Sequence, residues 1–579
     1  MRPAPHLHAP AKPAGGATRR VAQLSLILTL SACAPQGRMP PTATASAPRA
    51  TLAIIEQHYQ RLRYWADQRR LLEGLGHDTT PAGVASAAVA ESLQAQRRLL
   101  TGDLATPPAP SPGSDDALAL ATIQAEWQGG LAGVATTSGT GSRADPAPPA
   151  CDYDPATVAT GPDPLDALTD RVFFCFGRAA NLIVVGPDTL NRLAILGRLA
   201  REESSMRRQA LFRALTPVWR SVNGDNGADS PYRTMLRLRR AAWGDSASPV
   251  AAKAPAFGLT SAVMEGWLVQ ALSAWRDATA DSPLEPWDWY YTVGEASRRL
   301  SPRIPAVADI RRVNDDYYRA LGADPARLHV GYDLLARPGK YPVAYTDIAA
   351  RGQWNDSVFT PSQPWIFTAY LAGGFDNLAE LLHESGHAIH VAGIRTRPAL
   401  LDWPDNDTFA EALADVPALE LYEPAWQQRF LGDSVPTSAA VRAKYAVIVF
   451  DLAWALFELR VHARPDADPN AIWSDLVSSY LHIRPHPELS WWAMRGQLVD
   501  GPGYLINYAL GAFMAADIRA RVSAQRGPIS AAGATLFPWL STELYRFGRE
   551  RSSRQVLEDF LGRPMQPAAL LTDLTRMRQ

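Results

Sequence analysis

The chain has 579 residues, 47% of them hydrophobic, and its 57 basic side chains nearly cancel its 58 acidic ones. That apolar fraction is ample for a large core, and without a long run of either charge the chain lacks the concentrated basic face that nucleic acid requires. Its 17 Trp are expected as core residues of long helices, not as a stacking platform for sugars or bases.

The first readable element lies at the N-terminus. Arg19 and Arg20 precede a mainly apolar run over 21–32, short of the ~20 residues that span a bilayer and suited to a signal-peptide core. The run ends Leu30-Ser31-Ala32-Cys33, which resembles the lipobox of bacterial lipoproteins. The resemblance implies a leader over 1–33, acylation of Cys33, and an exported, periplasmic protein that meets a membrane only through its lipid. Ala34 in place of the Asp that retains lipoproteins in an inner membrane favours the outer one. An ordinary cleaved signal, or a twin-arginine signal at Thr18-Arg19-Arg20, also leads to export. Residues 34–50, rich in Pro, Ala, Thr and Ser, read as a flexible tether. In an oxidising compartment Cys151 and Cys175 are expected to form a disulfide.

Helical periodicity starts at Leu52, Ile55, Tyr59 and Leu62 and runs with breaks to about 104. Pro/Gly/Ser-rich loops follow at 106–114 and 136–149, and helices resume from about 166. Residues 51–330 are thus an N-terminal helical region, and 331–579 carry the candidate chemistry. Strand signals are few: the aromatic and β-branched segment 364–371, bounded by Pro and by Gly373-Gly374, and a second around 341–345. The expected fold is mostly α, with a small β-sheet next to the helix described below. The 364–371 strand is expected to pair its backbone with an extended peptide, placing Ile366, Thr368 and Ala369 at a substrate.

His383-Glu384-Ser385-Gly386-His387 is an HExxH pattern. Asn377 and Glu380 have capping-box spacing and Gly393 supplies a stop, which predicts a helix of about fifteen residues. Residues four apart share a helix face, so His383 and His387 can offer nitrogens to one ion. Glu384 is ~100° round, beside the metal and not on it, as a general base needs. Zinc held by two His takes a third protein ligand and leaves a position open in a catalytic site. The segment Phe409-Ala410-Glu411-Ala412-Leu413-Ala414-Asp415 reads as a return helix whose Glu411 supplies that ligand, one zinc per chain. Asp415, one turn on, is placed to accept the far N–H of a ligand histidine. His390 reads as a supporting residue. Pro417 is expected to kink the return helix a turn past Glu411.

The segment Phe409-x-Glu411-Ala412-x-x-Asp415-Val416-x-Ala418-Leu419 resembles the angiotensin-converting-enzyme type of gluzincin peptidase. Asp333-x-x-x-Arg337-x-Gly339-Lys340, and the motif followed by His390, resemble the thimet-oligopeptidase type. The likeness covers about 332–520. It implies a two-lobed helical peptidase with a deep channel, acting on short peptides as a peptidyl-dipeptidase or oligopeptidase with no obligate protein partner. It also implies Tyr residues near the C-terminus as oxyanion donors. Tyr504 and Tyr508, four apart after Gly501-Pro502-Gly503, occupy that segment, although Leu498 and Val499 stand where the family has a His. Lys340, Arg484 and Arg495 could take a substrate carboxylate, but they read as surface or structural cations. The competing functions are hydrolysis of a non-peptide amide and a catalytically silent binding lipoprotein; Glu384 weighs against the second.

Overall fold

A computed structural model describes residues 50–76, 84–131, 150–244, 248–279, 282–337, 340, 343–355 and 357–578. The leader 1–33, nearly all of the tether and Cys33 lie outside the described residues. Among the described residues no helix is long and apolar enough to cross a membrane.

Helices dominate from Leu52 onward, as expected. Three of them, α1 (Leu52–Gly74), α2 (Val84–Ala105) and α3 (Asp115–Glu126), share a small apolar core of their own that includes Ile55, Leu62, Leu93 and Ile123 and reaches the rest only at Ala399 and Leu400. Ion pairs make most of the named links across that join. Arg397 reaches Glu56 (2.7 Å), Arg63 reaches Asp402 (2.9 Å), and Arg549 reaches Glu126 (2.6 Å). The remaining core runs from Leu168 to Met577. Six of the tryptophans in it, Trp219, Trp275, Trp426, Trp473, Trp491 and Trp492, are among the largest fully buried side chains, which confirms their reading as core. Cys151 and Cys175 are bonded, as expected.

Seven strands are present among the described residues: β1 (Ile183–Val185), β2 (Asp188–Leu190), β3 (Gly331–Leu335), β4 (Tyr345–Ala350), β5 (Gln353–Asn355), β6 (Val358–Thr360) and β7 (Gln363–Tyr370). The sheet that matters is three-stranded, in the order β3-β7-β4. Here β7 runs parallel to β3, with Tyr332 opposite Ile366, and antiparallel to β4, with Thr346 opposite Ile366.

This arrangement corrects the expected substrate strand. Because β7 is central, both of its edges are already paired and no peptide can be added to it. Ile366 and Thr368 are fully buried, the Thr368 hydroxyl donates to the Leu334 carbonyl (2.7 Å), and Ala369 lies on the same enclosed strand. The edge strands are β3 and β4, and β4 is the antiparallel one. Its outer edge is free only at its start, since Gln68 of α1 donates to the Ala349 carbonyl (2.7 Å) and Asp67 accepts from the Arg351 N–H (3.1 Å).

Candidate active site

The motif helix spans Phe375–Gly393 and packs on the sheet. It ends at the expected glycine but begins two residues before Asn377. A tertiary contact replaces the local cap: Ser301 Oγ accepts from the Phe375 N–H (3.0 Å), while the Asn377 amide turns back to donate to the Ala372 carbonyl (2.9 Å). The return helix, Asp407–Ala418, starts after Asn406, whose side chain accepts from the Phe409 N–H (3.2 Å). Pro417 does not kink a longer helix; the helix ends one residue later and tightens into a 3₁₀ turn at Leu419–Tyr422.

The two helices cross where the motif carries its glycine. A Cβ on Gly386 would lie 2.3 Å from the Ala414 carbonyl oxygen and 2.7 Å from its Cα. Only a residue without a side chain permits that approach. The approach lets Glu411, one turn earlier on the return helix, reach both histidines: Oε2 is 3.2 Å from His383 Nε2, and Oε1 is 3.7 Å from His387 Nε2. One ligand atom from each of His383, His387 and Glu411 lies within 4.8 Å of the others. Tetrahedral zinc with bonds near 2.0–2.2 Å spaces its ligand atoms roughly 3.3–3.5 Å apart, so the donor set fits that ion. Asp415 Oδ1 sits 2.8 Å from His383 Nδ1, which orients the ring. Burial opposes charge on His383, but Asp415, Glu411 and Glu384 outweigh it and hold the imidazole well above its usual pKa. His390 is buried against Trp403 and Tyr545, points no nitrogen at the cluster, and is pushed down to about 3 by burial and then by His387.

Glu384 stands beside the triad, its Oε2 accepting from the Thr346 hydroxyl at 2.7 Å. Thr346 was not legible as a site residue, because the register that places it opposite Ile366 is not written in local sequence. Ala344, Tyr345 and Thr346 then form one wall of a cleft of about 490 Å³ over the triad. The same cleft is lined by Asp407 and Ala410 of the return helix and by Tyr504 and Tyr508 at the start of the tyrosine helix, Leu505–Arg526. Both tyrosines are therefore brought to the site, with ring centroids 5.5 Å apart. Burial, then Glu411 and Asp407, raises the pKa of Tyr504; burial, then Tyr504, raises that of Tyr508, so both phenols keep their protons. Glu380 also faces the cleft and was missed. It sits three residues before His383 and four before Glu384, and helical spacing was signal enough to find it. Burial, with Glu384 contributing, raises its pKa. Trp403 comes from a loop and left no local signal. Among the described residues lining the cleft none is Lys or Arg, while Glu380, Glu384, Asp407 and Glu411 are all acidic.

The cations weighed from sequence have other partners. Lys340 closes on Asp333 (2.9 Å), as does Arg337 (2.7 Å), and Arg484 pairs with Glu285 (3.4 Å). Arg495 pairs with Asp451 (2.6 Å) and lies 5.5 Å from the Tyr508 ring centre, at the margin of the cleft.

No protein-family model and no curated protein sequence matches the chain. Solved structures do. A carboxypeptidase from Pyrococcus furiosus aligns over 91% of this chain and 99% of its own, at 13% identity and a TM-score of 0.53. A structure described as CHT aligns over 90% and 98%, at 14% identity and 0.52. A Deinococcus radiodurans M32 carboxypeptidase aligns over 90% of this chain and 96% of its own, at 14% identity and a TM-score of 0.48. At such identities the likeness shows a shared, mostly helical fold. The carboxypeptidases found are not of the angiotensin-converting-enzyme or thimet-oligopeptidase type, so that finer resemblance extends no further than its motifs.

Proposed function

We propose that the chain is a zinc-dependent metallopeptidase acting on short peptides, with the metal on His383, His387 and Glu411. The observation that carries the reading is the convergence of those three donors, with the Glu384 carboxylate held alongside by an edge-strand hydroxyl and the start of that strand lining the cleft. Bound there, zinc supplies Lewis acidity. An extended peptide pairs with β4 at 344–346, so recognition rests on backbone and tolerates varied side chains. Glu384 takes a proton from the attacking water and passes it to the leaving amine, with Thr346 fixing the carboxylate's direction. Tyr504 or Tyr508, protonated, donates to the oxyanion that develops on the scissile carbonyl. Asp415 keeps His383 in the ligating orientation.

The finer choice is between removal of dipeptides, internal cutting and removal of single C-terminal residues. Motif resemblance supports the first two. The fold shared with a carboxypeptidase supports the third; there Arg495, 5.5 Å from the Tyr508 ring, would have to serve a terminal carboxylate alongside its partner Asp451. We also propose export and anchoring through Cys33, supported by the lipobox-like segment and by a disulfide that suits an oxidising compartment.

The test is mass spectrometry of mixed peptides of ~5–15 residues, roughly 17–50 Å when extended, incubated with protein lacking 1–33. A Glu384→Gln variant and a chelated sample run beside it, each with zinc content measured. One zinc per chain, cleavage by wild type alone and loss on chelation establish the peptidase, and the product ladder separates the three modes. Bound zinc without cleavage of any peptide refutes it.

A further inference from the structure

The loop that delivers the two tyrosines is held from behind by groups outside the cleft. Glu458, on the long helix Thr437–Ala463, is fully buried, and its Oε1 accepts the Gly503 N–H at 3.0 Å. Its Oε2 is buried with no hydrogen-bond partner. Arg239, on the helix Pro231–Trp243 and 1% exposed, donates to the carbonyls of Leu498 (3.2 Å) and Val499 (2.6 Å) on the other side of the same loop. Gly503 has φ +80, and a Cβ there would lie 2.7 Å from both the carbonyl carbon and the oxygen of Pro249, so the loop is pressed against a wall it cannot leave by side-chain adjustment. The next residue is Tyr504, which opens the tyrosine helix.

We propose that Glu458 is a positioning residue for Tyr504 and Tyr508: it grips the Gly503 N–H from outside the cleft, firmly as a carboxylate and less firmly once protonated. The proposal rests on the peptidase reading for its effect on turnover, but not for its effect on the loop. A carboxylate acceptor is roughly twice as strong as a neutral one, and Glu458 has a reason to change state near neutrality. Burial pushes its pKa up to about 7 against the pull of the Gly503 N–H and of Arg239. The ionisable groups facing it are Arg239 and Tyr232 of the helix Pro231–Trp243; Asp500, just before the loop's glycines, faces Arg239, and His462, one turn along, contacts the Glu458 backbone carbonyl (2.9 Å). None of these is a metal ligand or lines the cleft. The consequence is a cleft wall that stiffens as pH rises through about 7.

Glu458→Gln keeps the shape and a neutral acceptor and cannot ionise. The readout is the ratio of wild-type to E458Q kcat on one peptide at pH 6 and pH 8, because groups common to both proteins cancel in it. The expected ratio is about fivefold at pH 8, approaching one at pH 6, with KM changed less than kcat. A second arm needs no turnover: hydrogen exchange of amides 501–508, corrected for intrinsic rates. Protection should be greater in wild type than in E458Q at pH 8 and equal in the two at pH 6. A kcat ratio that is the same at both pH values, or exchange that never differs, overturns the proposal. If wild type cleaves no peptide, the peptidase reading falls and the exchange arm alone decides the positioning role.

Discussion

Replacing Gly386 by Ala tests whether the metal site is set by the crossing of two backbones. The added Cβ would stand 2.3 Å from the Ala414 carbonyl oxygen, against a contact distance near 3.4 Å, so the helices must part by roughly 1 Å. Glu411 spans only 3.2 Å to His383 and 3.7 Å to His387. A displacement of that size takes its carboxylate out of bonding range of an ion whose ligand distances tolerate about ±0.2 Å. Overpacking of this kind costs ~1–3 kcal/mol of stability, and a zinc affinity at least ~100-fold weaker is expected. The assay is competition for zinc with a chelator of known affinity, with a urea melt of the metal-free protein alongside. The clash is with the backbone of residue 414, so Ala414→Gly in the same chain must fail to restore binding. Wild-type zinc affinity in G386A, or rescue by A414G, refutes the reasoning.

Asp415→Ala removes the acceptor 2.8 Å from His383 Nδ1 and should weaken zinc binding ~10–100-fold in the same competition assay, without unfolding the chain. Tyr504→Phe and Tyr508→Phe separate the two phenols: the oxyanion donor should lose ~100-fold or more in kcat with KM little changed, and its neighbour far less. His462 is held neutral, since burial pushes it down to about 4. A depressed imidazole gives its full stability above the ordinary value near 6.5 and loses it as pH falls towards 4. For this partly exposed ring the loss is on the order of 2 kcal/mol. Urea midpoints at pH 7 and pH 4.5 should therefore fall less in His462→Gln than in wild type, and an identical fall in both would clear His462 of the effect. Glu458, raised to about 7, works in the opposite sense. Its contribution is full below the ordinary carboxyl range and fades as pH rises through 7.

The metal site was legible because its spacing is helical arithmetic: His383 and His387 one turn apart, Glu411 and Asp415 one turn apart. The bridge between the two pairs was also written, in Gly386, but its meaning depends on knowing which backbone passes over it. The tyrosines were found through their own four-residue spacing. The substrate strand failed for a different reason. Ile366, Thr368 and Ala369 read as a strand whether it is central or at an edge, and only pairing with β3 and β4 decides. Thr346 and Trp403 were missed because long-range register and a loop placed them. The cap of the motif helix was misjudged because Ser301, 74 residues upstream of Phe375, does the capping.

The join between the three N-terminal helices and the rest has one more consequence. Ion pairs through Arg397, Arg63 and Arg549 cross it, and among the described residues the buried apolar cluster of the three helices takes in only Ala399 and Leu400 from the other side. A seam of this kind opens without laying bare much apolar surface, so parting costs little in denaturant slope or in solubility. Gln68 and Asp67 of α1 also cover the far half of the β4 edge. On the proposed pairing of a peptide with β4, the closed seam acts as a ruler: it leaves only the first few positions of that strand for a docked peptide.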